Sequence, residues 1–285
     1  MAVYERGWRP WVGQTTAPGR RWVVITRYGL ETAFSSRVFT AYYVVCMLPT
    51  VAALLWVYAA HNAALLGELG AAAGAFIAPT AAFFRRLFLW QAVPAFFLAV
   101  VVAPHLVAPD LSNNALPLYL ARAIRRREYV LGKLAILAAL LSPPTWIGGL
   151  LVTAVDGGLD GASAVRHGRI AVGFLVGHLA WVAVISLLTL AVSAWVRHKS
   201  AARAALVGVF FILGAAGDLL AAATRSGLAY VIDPMTAIAT VVQHLFDRYA
   251  VTELSPLTAW LTLLVTALIS LWILYRKLRA HEVIR

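Results

Sequence analysis

Polar side chains are scarce where this chain is most apolar, and those few limit the chemistry available to it. Gln91, His105, His178 and Asp218 are the polar residues singled out within its long hydrophobic runs. His105 and His178 stand in different runs with no ligand spacing between them. Hydrogen bonding between helices is therefore the favoured role, ahead of metal binding. Asp218 lies near one end of its run, where a carboxylate reaches water as readily as it meets a substrate. As the only acid in a run, it leaves little of the buried-acid pattern expected of proton-coupled transport. Cys46 is the single cysteine and reads as inert apolar packing. The chain has no GxSxG, HExxH or CxxC motif and no GxxxxGK[ST] phosphate loop. It is expected to be no enzyme and to bind no cofactor itself.

The most informative stretch is Pro109–Lys133, PDLSNNALPLYLARAIRRREYVLGK. Ser112, Asn113 and Asn114 are residue types that cap a short helix. Pro117 then calls for an extended or newly started segment. Leu118, Leu120 and Ile124 supply an apolar face beside Arg122, Arg125, Arg126 and Arg127. That pattern suits docking on another protein. A basic loop that only orients the chain in a membrane needs the arginines but not the Pro-Leu-Tyr-Leu insert. From composition alone the two readings stand level.

A second helix signal lies in residues 224–256. Asp233-Pro234 is a cap followed by proline at the first helical position. Met235, Ile238, Val242 and Leu245 then recur at helical spacing. An amphipathic helix on, or dipping into, one face of the membrane is expected. Arg20–Arg37 interleaves aromatic and aliphatic residues with arginine, as a helix lying in the membrane interface would. A solvated leader is the alternative, and Gly29 weakens the helical reading.

The elements that must carry these residues are membrane spans. The chain is 62% hydrophobic and 13% charged over 285 residues, whereas soluble domains run nearer ~45–50% and ~25%. Six apolar stretches reach the ~20 residues needed to cross a bilayer. They are Val38–Ala60, Leu87–Val107, Leu134–Val155, Ile170–Val196, Ala204–Ala223 and Leu257–Tyr275. Pro49, Pro94 and Pro143–Pro144 should kink or interrupt the first three. The expected architecture is one all-α membrane domain over 1–285: a leader at 1–37, a six-span bundle at 38–275 and a tail at 276–285. A cleavable signal peptide is not expected, because the first 37 residues hold six arginines and no long apolar run.

Eighteen of the 24 lysines and arginines fall in residues 1–37, 108–133, 197–203 and 276–285, on one side of the spans. The positive-inside rule makes that side, with both termini, cytoplasmic. The net charge of +12 is then a topology signal and an attraction to anionic lipid, not a nucleic-acid footprint.

The run Ala115-Leu116-Pro117-Leu118-Tyr119-Leu120-Ala121-Arg122, continued by Arg126-Arg127-Glu128-Tyr129-Val130-Leu131-Gly132-Lys133, resembles a cytoplasmic loop of type-2 ABC transporter permeases (the ABC-2 family). Tyr4-Glu5-Arg6-Gly7-Trp8-Arg9-Pro10 and Arg279-Ala280-His281-Glu282-Val283-Ile284 look like that family's two ends. Ala123 departs from it, where the family often has proline after the arginine. The resemblance implies a six-helix half-transporter in the cytoplasmic (inner) membrane, paired with a second permease chain, the same or a paralogue. Two separate ATPase subunits would bind ATP and Mg, and a periplasmic accessory protein is allowed for. Leu111–Arg127 would be the coupling helix, with Leu116, Pro117, Leu118, Tyr119, Leu120, Arg122, Arg126, Glu128 and Tyr129 as ATPase-coupling residues. Arg20–Arg37 would be the interfacial elbow helix. Asp218, Met235, Ile238 and Val242 would belong to an outer gate or substrate path, with external or re-entrant helices between spans five and six. ATP-driven export is the first functional expectation. A non-transporting subunit that anchors an assembly, or passes ATPase motion to a periplasmic partner, is the second.

Overall fold

Where water is absent, each backbone N–H and C=O must be bonded within its own segment, so long apolar runs become helices. A computed structural model describes residues 17, 19–62, 79–113, 124–160, 164–196, 198–247, 252 and 254–278. Among the described residues there is no strand. A short helix, α1 (Arg21–Phe34), precedes α2 (Arg37–His61) and α3 (Ala81–Ser112). The third span runs from α4 (Arg126–Leu141) through a π turn (Pro143–Ile147) into α5 (Gly148–Asp160). α6 (Ala164–Trp195) and α7 (Lys199–Thr224) follow. A 3-10 turn (Gly227–Ile232) and α8 (Pro234–Phe246) lead to the final helix, α9 (Pro256–Lys277). Six helices are long and apolar enough to cross a membrane: Arg37–His61, Ala81–Asp110, Arg126–Leu159, Val165–Trp195, Lys199–Thr224 and Pro256–Lys277. The chain is an all-α, multi-pass membrane protein.

All six expected stretches are helical to within one residue, and each helix starts before its apolar run. α3 starts at Ala81 and carries Arg85 and Arg86 in its first turns. At its other end it continues through Ser112, so Ser112 closes a helix where it was expected to cap a new one. Asn113 donates its backbone N–H to the Pro109 carbonyl, which fits a helix end. Asn114 and the segment through Ala123 lie outside the described residues.

α3 and α6 form the centre of the bundle, with 61% and 56% of their spanning windows buried. α2, α7 and α9 bury only 22%, 17% and 28%. Their outward faces carry residues such as Leu55, Phe211, Ile212 and Leu257. Those faces suit lipid or another chain.

Contacts sort the helix ends into two groups. At one end α1 packs on α4 and on α2, and the start of α4 meets the end of α3 through Tyr129 and Lys133 on Asp110. Lys277 at the end of α9 lies over the Trp195 ring at the end of α6, 4.1 Å from its centroid. At the other end His61 of α2, Asp156 of α5 and His167 of α6 converge. There Arg166 also donates to the Pro79 carbonyl just before α3.

α1 is a helix despite Gly29, and the packing explains the glycine. Its half-buried positions, Arg21, Trp22, Ile25, Thr26, Gly29, Leu30 and Ala33, recur at helical spacing on one face. That face lies along α4. A Cβ on Gly29 would strike the Ile136 side chain, and one on Gly132 would lie 2.8 Å from Ile25 Cβ and 3.1 Å from the Trp22 carbonyl. Small residues at such crossings let two backbones approach closely. Thr26 Oγ1 adds bonds to the carbonyls of Trp22 (2.9 Å) and Gly132 (3.3 Å).

Of the expected proline breaks, only Pro143–Pro144 interrupts a helix. Pro49 and Pro94 lie inside continuous α2 and α3. The Pro94 carbonyl accepts a bond from Tyr42 Oη at 3.0 Å. In the third span the Ile147 N–H reaches back to the Ser142 carbonyl (3.2 Å), and Thr145 takes a non-helical conformation. Thr145 Oγ1 donates to the Leu141 carbonyl at 2.6 Å, satisfying an acceptor near the break.

Candidate functional site

A small polar network joins the end of α3 to the start of α4. Asp110, in the last turns of α3, accepts from Tyr129 Oη (2.7 Å) through Oδ2 and pairs with Lys133 Nζ (2.9 Å) through the same atom. Lys133 also lies over the Tyr129 ring, 5.2 Å from its centroid. Glu128 accepts the Arg125 N–H (2.9 Å), capping the start of α4, and the Gly19 N–H (3.1 Å). The described residues on either side of 114–123 are thus tied to one another and to the segment that carries α1.

Of the coupling residues expected from sequence, Leu116, Pro117, Leu118, Tyr119, Leu120 and Arg122 lie outside the described residues. Arg126 is the half-buried first residue of α4. Glu128 and Tyr129 are buried and bound to the protein's own backbone and to Asp110. They hold the base of the loop.

The residues expected at an outer gate separate in the structure. Asp233 caps α8 by accepting the N–H of Met235 (2.9 Å) and of Thr236 (3.2 Å), together with Thr236 Oγ1 (2.6 Å). Ile238 and Val242 are buried where α8 packs on α6 and α9, and Met235 is half-buried beside them. Phe246 at the end of α8 sits edge-on to Phe174, with centroids 5.2 Å apart. α8 is therefore seated against the bundle. Asp218 lies apart from that seat, exposed on α7, with no hydrogen bond or ion pair among the described residues. Its neighbour Gly217 packs on Tyr230 and Asp233.

His178 joins α6 to α3 through its ring. Its imidazole stacks on Phe88 at 3.7 Å between centroids and on Phe174 at 5.7 Å. Neither ring nitrogen has a hydrogen bond of good geometry among the described residues, and the backbone groups closest to bonding it are those of Phe174 and Phe88. Stacking of this kind contributes ~0.5–1.5 kcal/mol. His105 does bond: Nδ1 lies 2.8 Å from the Val101 carbonyl, and the ring faces Arg203 of α7. Gln91 donates to Thr50 Oγ1 at 2.8 Å, joining α3 to α2 beside Gly148.

Sequence reasoning missed a fully buried acid. Asp156 is fully buried within α5, so Asp218 is not the only acid carried by a spanning helix. Its Oδ2 lies 3.0 Å from His167 Nε2 and its Oδ1 3.7 Å from His61 Nε2. The expected run Leu134–Val155 stops one residue short of it. The spacing Asp156–His167 was the available signal; His61, on a distant segment, gave none. Among the described residues no group of three His, Cys, Asp or Glu has metal-holding geometry.

No family model matches the chain, and no curated protein matches it.

Proposed function

We propose that this chain is the membrane permease subunit of an ATP-driven ABC transporter of the type-2 class, acting in export. In this reading it spans the cytoplasmic membrane with both termini inside. It pairs with a second permease chain, and two ATPase subunits carry ATP and Mg. The loop resemblance introduces the reading, and one structural observation carries it. The two ends of the 114–123 loop are cross-tied through Asp110, Tyr129 and Lys133. The second end is also locked to α1 through Glu128 and the Gly29 and Gly132 crossings. A push on that loop would move the second and third spans and α1 together, as a docking helix requires. The sparsely buried faces of α2, α7 and α9 leave room for a second chain.

The test uses the chain co-expressed with its ATPase and measures nucleotide-dependent flux in proteoliposomes. Leu118→Ala or Tyr119→Ala should weaken association or uncouple hydrolysis from flux, since interface anchors typically cost ~2 kcal/mol or more when truncated. Arg125→Ala should do little beyond lowering salt sensitivity. ATPase association that tolerates both apolar changes would reduce the loop to an orienting signal. Intact ATPase stimulation without flux would favour a non-transporting subunit. Hydrolysis by the purified chain alone would overturn the permease reading.

A further inference from the structure

A cavity of about 800 Å³ opens beneath α1 at the basic end of the bundle, between α1, α2, α3, α4 and α7. Its volume falls within the ~300–1,000 Å³ range of small-molecule sites. Phe39 and Leu106 are buried in its wall, while Val38 at its edge is 81% exposed. The cavity is therefore open sideways, toward the surroundings of the bundle. Its charged lining is cationic, Lys133 and Arg203, and among the described residues no carboxylate lines it.

The charges in it are unequal. Lys133 is neutralised by Asp110 at 2.9 Å. Arg203 has no carboxylate among the described residues, and its Nε is buried with no hydrogen-bond partner. Its Nη2 faces His105 Nε2 at 3.3 Å. A carbonyl only accepts, so His105 Nδ1 donates to Val101, while Arg203 Nη2, 3.5 Å from Nδ1 as well, lies over the ring. His105 therefore orients Arg203 without offsetting its charge. Arg203 lies four residues beyond Lys199, the start of α7. At 1.5 Å per residue that is about 6 Å from the helix end, the depth of the headgroup boundary.

We propose that this cavity binds one anionic phospholipid, with its phosphate on Arg203 and its acyl chains along the wall formed by Val38, Phe39 and Leu106. A zwitterionic lipid would bring an ammonium group with no carboxylate waiting for it. A free phosphate would leave the apolar wall unused. The site requires only that the six helices span a bilayer, so it stands whether or not the chain partners an ATPase.

The experiment uses the full chain purified in mild detergent with any co-purifying subunits. Retained lipid is counted by native mass spectrometry during exchange against phosphatidylglycerol, phosphatidylcholine or inorganic phosphate. Wild type should keep one phosphatidylglycerol in preference to phosphatidylcholine, and inorganic phosphate should not displace it. Arg203→Gln should reduce that preference about tenfold or more, the weight of one charge-assisted hydrogen bond. Arg203→Lys should keep most of it, and Arg86→Gln, at the far end of the bundle, should keep all of it. Ala33→Phe, which fills the cavity and leaves the charge, should lower retention of both lipids. It also serves as the test if Arg203→Gln does not fold. Equal retention of the two lipids by wild type, an unchanged preference in Arg203→Gln, no loss in Ala33→Phe, or displacement by inorganic phosphate would each overturn the assignment.

Discussion

Gly132→Ala is the sharpest perturbation of the joint between α1 and α4. The added Cβ would lie 2.8 Å from Ile25 Cβ, 2.9 Å from Ile25 Cγ2 and 3.1 Å from the Trp22 carbonyl oxygen. Unstrained carbon contacts sit at ~3.5–4.0 Å, so α1 must retreat by roughly 0.7 Å or more. Two of the obstacles are a β-branched carbon and a backbone oxygen, and neither can rotate away. Such overpacking costs ~1–3 kcal/mol, less ~0.5–1 kcal/mol regained because alanine suits a helix better than glycine. The net loss of docking is about 0–2.5 kcal/mol, with a midpoint of about 1.3 kcal/mol or roughly 9-fold in the opening equilibrium. Gly29→Ala meets the far end of the flexible Ile136 side chain, so it should cost less. The assay is trypsin cleavage after Arg27, whose side chain is exposed but whose backbone is helical while α1 is docked. Under conditions where opening precedes cleavage, Gly132→Ala should be cut faster than Gly29→Ala, and Gly29→Ala about as slowly as wild type. Gly132→Ala cut no faster than wild type, or the reverse order of the two variants, would refute the close-packed joint.

Asp156→Ala should lower stability by about 1–3 kcal/mol, because it leaves the buried His167 without its hydrogen-bond partner. Asp156→Asn should lose less, since its carbonyl still accepts from His167; equal melting of all three proteins in detergent would contradict the buried cluster. Asp218→Asn should leave assembly and flux unchanged, because the side chain is exposed and unpaired among the described residues; altered flux with normal assembly would return Asp218 to the transport path. Single cysteines at Arg126 and His198 should label from the cytoplasmic side and one at Asp247 from the opposite side; outside labelling at 126 would overturn the orientation.

The six spans were legible because apolar length alone forces a helix in a bilayer. Their ends were less legible, because helices carry charged residues such as Arg85, Arg86 and Arg126 in their terminal turns, where hydropathy has already fallen. The cap at Asp233-Pro234 was readable because capping is local. Gly29 looked like a defect in α1, since its reason, Ile136, lies on another helix. His178 and Phe174 stand one helical turn apart, but Phe88, which stacks most closely, comes from α3. Asp156 with His61 and Lys133 with Asp110 were invisible for the same reason: each pairing is made by tertiary packing between helices.

The π turn at Pro143–Ile147 also fixes the length of the third span in a way unrelated to its flexibility. Closing the bond from Ile147 to Ser142 places one residue more in that turn than an α-helix holds. Deleting a single residue there would restore an ordinary helical turn and leave the residues beyond it on nearly the same faces, whereas the same deletion in an uninterrupted α-helix would rotate everything beyond it by about 100°. Gly148 would stay beside Thr50 and Gln91, and Asp156 beside His61 and His167. A homologue lacking one residue in this turn could therefore keep the same partners on α2 and α6. A one-residue gap in an alignment is thus absorbed at this turn and at no other point of the third span without changing which face of its second half looks inward.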